Sequence, residues 1–277
     1  MTADAPSPVP QAMLDALVAA AHAVADAARP VTLRWFRAPA LAVDDKAEPG
    51  AFDPVTVADR DAEAAMRAVL TRLRPEDGVI GEESGATAGR SGFTWVLDPI
   101  DGTRAFIAGA PTWGVLVAAS DGVRPVVGVI DQPFTGERFE GVVSGAMRVA
   151  RWTRGDERRA LATRPCARLE DATLLSTYPE IGDAAESAAF DAVRRRVRLT
   201  RFGLDCTGYA LVALGCADLV IEAGLQPYDV QAVIPVVEGA GGVITGWKGE
   251  PCAQGGRVVA AGDPRVHDAA LEILSRA

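Results

Sequence analysis

Between residues 78 and 150 the chain carries six short apolar runs, at 78–81, 93–98, 112–119, 124–131, 137–143 and 147–150. Turn pairs such as Asp121-Gly122 and Thr135-Gly136 separate several of them, the mark of strands joined by tight turns. Antiparallel hairpins are the natural connection for strands so closely spaced, because a parallel crossover needs a dozen or more residues. Helices precede this run. From Gln11, apolar residues recur at Leu14, Leu17, Val18, Ala21, Val24 and Ala25, which is the helical period. This helix is expected to run towards Phe36, bent or broken at Pro30. Residues 44–54 read as an irregular loop. A second helix starts near Thr56, where Thr56 and Asp59 resemble a capping box. Its buried stripe is expected at Ala58, Ala62, Ala65, Met66, Val69 and Leu73.

After a polar, Arg-rich junction at 151–168 the pattern alternates. Strands are expected at 172–177, 198–201, 218–222 and 257–261, and helices at 183–197, 205–215, 229–240 and 264–276. Such alternation argues for an α/β layer. The reading is thus α+β in the first half and α/β in the second. A disordered arm at 1–10 leads into an N-terminal unit at 11–152 and a C-terminal unit at 153–277.

Composition excludes several classes. With 277 residues, 49% of them hydrophobic and 23% charged, the chain can bury a full globular core. A net charge of −9 without a basic block makes nucleic acid a poor partner. No run approaches 18 apolar residues, so no membrane span is expected. The apolar stretch at 13–28 contains Asp15, His22 and Asp26 and lacks a basic leader, unlike a secretion signal. Cys166, Cys206, Cys216 and Cys252 match no zinc or redox spacing, so free thiols in the cytoplasm are expected. His22 and His267 are the only two histidines. Any catalysis must therefore rest mainly on carboxylates.

The segment Trp95-Val96-Leu97-Asp98-Pro99-Ile100-Asp101-Gly102-Thr103 carries the chemistry. An apolar strand ends on Asp98, and Pro99 is expected to turn the chain. Asp101 follows close enough for both carboxylates to reach one point. Gly102 permits unusual backbone angles, and Thr103 opens a short helix whose N–H groups suit an anion. Two carboxylates beside a helix N-terminus can take a divalent cation and a phosphate together. Two further segments give context: Val79-Ile80-Gly81-Glu82-Glu83-Ser84, a strand running into paired acids, and Pro227-Tyr228-Asp229 before a helix that ends in Gly239-Ala240-Gly241-Gly242. Taken alone, Asp229 is a helix cap.

These three segments, in this order, with Lys46, Asp53-Pro54-Val55-Thr56 and Ala58-Asp59 upstream, resemble the inositol monophosphatase superfamily over about residues 11–275. The resemblance implies a layered αβαβα sandwich and a Mg²⁺-dependent phosphomonoesterase. It implies that Glu82, Asp98, Asp101, Asp229 and the Ile100 carbonyl hold up to three Mg²⁺ ions, which fits the preference of hard cations for oxygen. Gly102 and Thr103 present N–H groups to phosphate. Thr103 and Glu82 orient the attacking water, and Asp59 supports the Thr103 hydroxyl. Lys46 lies on the mobile loop near the metals. A homodimer through the sheet surface of the first half is implied as well.

The segments at 201–206 and 222–229, with Arg104 next to the phosphate site, are similar to the histidinol-phosphatase branch, which hydrolyses L-histidinol phosphate in histidine biosynthesis. Arg104, Arg201, Asp205 and Glu222 are the substrate contacts this implies. Thr207-Gly208 follow Asp205-Cys206, where the branch often has an aromatic residue. A helix cap explains Asp205 equally well, and a surface ion pair explains Arg201. The alternatives are an inositol-1-phosphatase or broad sugar phosphatase, a nucleotide 3′-phosphatase, and a non-catalytic module that binds metal or phosphate.

Overall fold

The structure, a computed structural model, describes residues 8–39, 41–45 and 54–276. Lys46 and Asp53 lie outside these residues, as does most of the expected N-terminal arm. The last part of that arm is packed: the Val9 N–H donates to Ser144 Oγ at 2.8 Å.

Helix α1 (Gln11–Trp35) runs on past Pro30 without a break. The segment expected to be irregular is paired at both ends: β1 (Val43–Asp45) lies antiparallel to β2 (Pro54–Thr56), which puts Asp44, Asp45 and Pro54 in strands. Helix α2 (Val57–Leu73) opens on Thr56 with the expected capping box to Asp59. Its buried stripe differs from the expectation. Leu70 closes it, Leu73 is 45% exposed, and Asp59 and Glu63 are buried within it.

Eight strands then form one sheet: β3 (Gly78–Gly81), β4 (Gly85–Thr87), β5 (Thr94–Asp101), β6 (Gly114–Ser120), β7 (Pro125–Gln132), β8 (Glu137–Ser144), β9 (Met147–Arg154) and β10 (Glu157–Ala160). Their order is β10-β9-β8-β7-β6-β5-β3-β4. The pairs are antiparallel except β3 with β5. The sheet ends at Ala160, inside the stretch read as a junction, because alternating β9 and β10 side chains leave too few apolar residues to signal a strand. A short helix, α3 (Thr103–Ala108), interrupts between β5 and β6.

The second sheet has the order β12-β11-β13-β15-β14. Its strands are β11 (Thr173–Ser176), β12 (Leu199–Phe202), β13 (Leu219–Leu225), β14 (Val243–Thr245) and β15 (Gly256–Ala261). The helices are α4 (Ala184–Arg194), α5 (Cys206–Ala213), α6 (Pro227–Val230), α7 (Val233–Gly239) and α8 (Pro264–Leu274). The single helix expected at 229–240 is two: α6 and α7 are separate turns, with Asp229 inside the first.

Three apolar clusters stack these elements into the expected αβαβα sandwich. Helices α1 and α2 cover one face of the first sheet through Leu17, Val24, Met66, Trp95, Leu97, Val115 and Val117. The alternate residues Val96, Leu116, Ala118 and Ile130 face α5 and α7, which the second sheet covers from its other side. Phe190, Val266, Trp247, Leu219 and Ile221 close the outer face beneath α4 and α8. Burial on both faces explains why β6 reads as one continuous apolar run.

Candidate active site

The site forms where β5 stops behaving as a regular strand. The register with β6 shifts between Asp98 and Asp101, so Pro99 produces a bulge rather than the expected turn. The bulge brings both carboxylates to the same end of the strand. Asp98 is 2% exposed, and its Oδ1 accepts the Ile100 N–H at 2.9 Å. Asp229 reaches the same point from the first turn of α6, where its Oδ2 accepts the Gln226 N–H at 2.6 Å. One carboxylate oxygen from each of Asp98, Asp101 and Asp229 lies within 4.8 Å of the others.

Glu82 stands outside that trio but close to it. Its charge is the largest electrostatic influence on Asp98, after burial. The turn that carries Glu82 is held by Glu63, a buried acid of α2 that sequence reasoning misses. Glu63 accepts the N–H groups of Glu83 and Ser84 at 2.7 and 3.0 Å and pairs with Arg67 at 2.7 Å. A β-carbon on Gly81 would stand 2.4 Å from the Glu63 carboxylate, so the glycine is what lets this anchor in. No local pattern reveals the role, since Glu63 reads as an ordinary helix acid.

Gly102 adopts φ 87°, open to glycine without steric cost, and α3 begins at Thr103. The Thr103 hydroxyl donates to the Ile100 carbonyl at 3.1 Å and lies 3.5 Å from Asp59 Oδ1. Asp59 accepts the Thr56 N–H at 2.8 Å through its other oxygen, so the capping box holds it in place. Asp59 and the Thr103 hydroxyl are thus neighbours at a distance longer than an ordinary O–H···O bond.

Beside the acids lies a cavity of about 270 Å³ lined by Asp101, Gly102, Thr103, Arg104, Asp205, Glu222 and Asp229, with Thr177, Tyr178 and Tyr209 among others. Asp205 stands at the start of α5 but makes no cap hydrogen bond. The cap explanation therefore fails. Its φ of 45° is one of two positive values among the described residues other than glycine. Such backbone costs on the order of 1–3 kcal/mol and turns the carboxylate towards Gly102, where an added β-carbon would lie 3.0 Å from Asp205 Cγ. The adjacent Cys206 N–H donates to Asp101 Oδ2 at 2.6 Å, tying α5 to β5. Glu222 is 4% exposed and accepts the N–H and hydroxyl of Thr177 at 2.7 and 3.0 Å. Arg104 lies over the Tyr178 ring. Arg201 is exposed on β12 and does not line the cavity, because its position in the strand turns it outward. Sequence reasoning does not single out Tyr178 or Tyr209, as a tyrosine in an apolar context carries no functional signal.

Burial raises five of these acids. It pushes Asp59 up to about 6. Burial and the Asp205 charge take Asp101 to about 7, and burial with Glu222 and Asp229 takes Asp205 to about 7. Burial takes Glu222 to about 8, and Asp98 is held well above the carboxylate range by burial and the surrounding acids. An all-oxygen set of carboxylates, Asp98 buried and Asp101 and Asp229 half-buried, suits a hard divalent cation. Burial also drives the Cys206 thiol well up, which removes it as a nucleophile.

These shifts have a consequence for stability. Between the ordinary carboxylate range near pH 4 and the raised values at 6–8, the folded protein holds protons that the unfolded chain releases. Unfolding free energy therefore falls as pH rises through that window. The metal-free protein in chelator is expected to lose melting temperature from pH 5 to pH 8, and added Mg²⁺ to flatten the slope. Thermal scans at several pH values check this; a melting temperature that rises with pH contradicts it.

Among the described residues no helix is long and apolar enough to cross a membrane. The inositol monophosphatase family model matches residues 13–277. A bifunctional phosphatase IMPL2 from Arabidopsis thaliana is 38% identical over 98% of this chain and 78% of its own length. A histidinol-phosphatase from Streptomyces coelicolor is 35% identical over 92% of this chain and 96% of its own. An inositol monophosphatase from Zymomonas mobilis superposes with a TM-score of 0.82 at 40% identity, covering 96% of this chain and all of that one (100%). The match runs through both halves that build the acid cluster and the cavity, and it places this chain in the inositol monophosphatase family of metal-dependent phosphatases.

Proposed function

We propose that the protein hydrolyses L-histidinol phosphate to L-histidinol and phosphate, as a Mg²⁺-dependent phosphatase of histidine biosynthesis acting in the cytoplasm as a homodimer. The carrying observation is the Asp205 carboxylate, held uncapped on strained backbone at the wall of the cavity. Its likeness to a histidinol-phosphatase at 35% identity supports the same reading.

Asp98, Asp101, Asp229 and Glu82, with the Ile100 carbonyl, are the groups to hold up to three Mg²⁺ ions. When bound, Mg²⁺ supplies positive charge for the phosphate oxygens and an acidified water. The N–H groups of Gly102 and Thr103 hold phosphate oxygens at the mouth of α3. The Thr103 hydroxyl and the Glu82 carboxylate orient the water, and a carboxylate takes up its proton, with Asp59 fixing the hydroxyl. Asp205, against Gly102, and Glu222, beside Thr177, attract the ammonium of the alcohol half, and Arg104 balances them next to the phosphate. The buried Cys206 stays protonated, so it is no candidate nucleophile for a covalent phosphoenzyme.

The substrate assignment has a direct test. A hydrogen bond between ammonium and carboxylate is worth about 1.5–3 kcal/mol. Asp205→Ser is therefore expected to lower kcat/KM on histidinol phosphate about tenfold or more, with a smaller loss on inositol-1-phosphate. Steady-state kinetics on both esters and 3′-phosphoadenosine 5′-phosphate check this. A wild-type preference for inositol-1-phosphate, the ester suggested by the 40% identical Zymomonas relative, replaces the substrate and keeps the chemistry. No release from any ester with Mg²⁺ leaves a binding module.

A further inference from the structure

The cavity has a solvent-exposed aromatic wall that the metal and phosphate chemistry does not use. Tyr178 lines it together with Asp205 and Glu222, and the residue is 40% exposed. The other tyrosine of the lining, Tyr209, is 3% exposed, so Tyr178 is the ring a ligand can meet. Its backbone is anchored: it stands two residues past the end of β11, the Ser176 hydroxyl donates to its carbonyl at 3.2 Å, and the preceding Thr177 is fastened to Glu222 by its N–H and hydroxyl. The Arg104 guanidinium lies 5.2 Å from its ring centroid.

We propose that Tyr178 determines specificity for the alcohol half of the ester, as an aromatic wall for a planar, cation-bearing ring. The inference rests on the reading of the cavity as the site of a phosphate ester with a cationic alcohol half. A ring face offers no hydrogen-bond acceptor to the hydroxyls of a polyol, which Asp205 and Glu222 of the same cavity can serve without it. The ring offers a planar heteroaromatic group both a stacking surface and, when that group is charged, a cation–π contact. The carboxylates of Asp205 and Glu222 attract the same charge. The ring selects shape, and the acids select sign.

The experiment compares L-histidinol phosphate with O-phosphoethanolamine, which keeps the ammonium and lacks the ring, in wild type, Tyr178→Leu and Tyr178→Phe. Stacking and cation–π contacts together correspond to about a tenfold effect. The ratio of kcat/KM values, histidinol phosphate over phosphoethanolamine, is expected to fall about tenfold in Tyr178→Leu. The loss is expected mainly in KM, because the contact is made alike in ground and transition states. Tyr178→Phe is expected to restore the ratio to within about twofold, since it keeps the ring face. A ratio unchanged in the leucine variant overturns the proposal, as does an equal loss on both esters. An equal fall in the phenylalanine variant overturns it too, because the phenol and its link to Arg104 then matter instead of the ring. A wild-type preference for inositol-1-phosphate defeats the substrate reading, and the ratio still decides the role of Tyr178.

Discussion

Asp98→Asn is expected to abolish most turnover and, in the metal-free protein, to raise the melting temperature. The two effects share one cause. Asp98 is buried, and Glu82, Asp101, Asp229 and Asp59 all raise the cost of its charge. An amide keeps the volume and the acceptor for the Ile100 N–H while removing that cost. A gain of about 1 kcal/mol corresponds to roughly 2–4 °C for larger domains. The same change removes one of the three oxygens that converge within 4.8 Å, and with it an anionic donor for a divalent cation. Turnover is expected to fall by about 10³-fold or more, the scale of losing positioned electrostatic stabilisation. The wild-type protein gains stability with Mg²⁺ by linkage to binding in the folded state, and the variant is expected to lose most of that gain. Thermal scans with and without Mg²⁺, beside phosphate release, measure all three. An active Asp98→Asn with an undiminished Mg²⁺ shift would falsify the metal assignment.

Thr103→Ala carries the second large effect. Its hydroxyl sits between the Ile100 carbonyl and Asp59 at the first turn of α3. A hydroxyl placed to orient water and pass its proton to a neighbouring group contributes about 10²–10⁴-fold, and kcat is expected to fall by that factor. The Mg²⁺ affinity is expected to change far less, because the acid trio does not include Thr103. Calorimetric titration beside kcat separates the two. Collapse of Mg²⁺ binding with retained kcat reverses the roles assigned to Thr103 and the acids. Thr103→Ser keeps the hydroxyl and is expected to recover most of the rate.

Patterns that close within a few residues are legible in the amino-acid sequence. Thr56 and Asp59 cap their helix because both partners lie in one turn. Asp98, Asp101, Gly102 and Thr103 read as a strand end feeding a helix because a bulge and a positive φ need only the chain itself. Clean periodicity locates α1 and, in the first sheet, β3, β5, β6, β7, β8 and β9. The edge strands β4, β10 and β14 are not legible. Each is three or four residues long, and β4 and β10 are exposed throughout. At that length an alternating or apolar pattern has no room to appear.

By itself the sequence determined which acids are available, where strand and helix begin around them, and that only two histidines accompany them. Only the tertiary structure decided how they meet. The Cys206 N–H bonds Asp101 across 105 residues, Glu63 grips the turn at Glu83 across 20, and Asp229 joins Asp98 from the other sheet's half of the chain. It also decided that Asp205 faces the cavity instead of capping α5, that Arg201 faces solvent, and that Tyr178 forms a wall. The reason is that side-chain direction at a strand end or helix start depends on twist, bulges and a few degrees of φ, set by packing between layers. Local propensity does not encode those angles, and a residue's partners across the fold do.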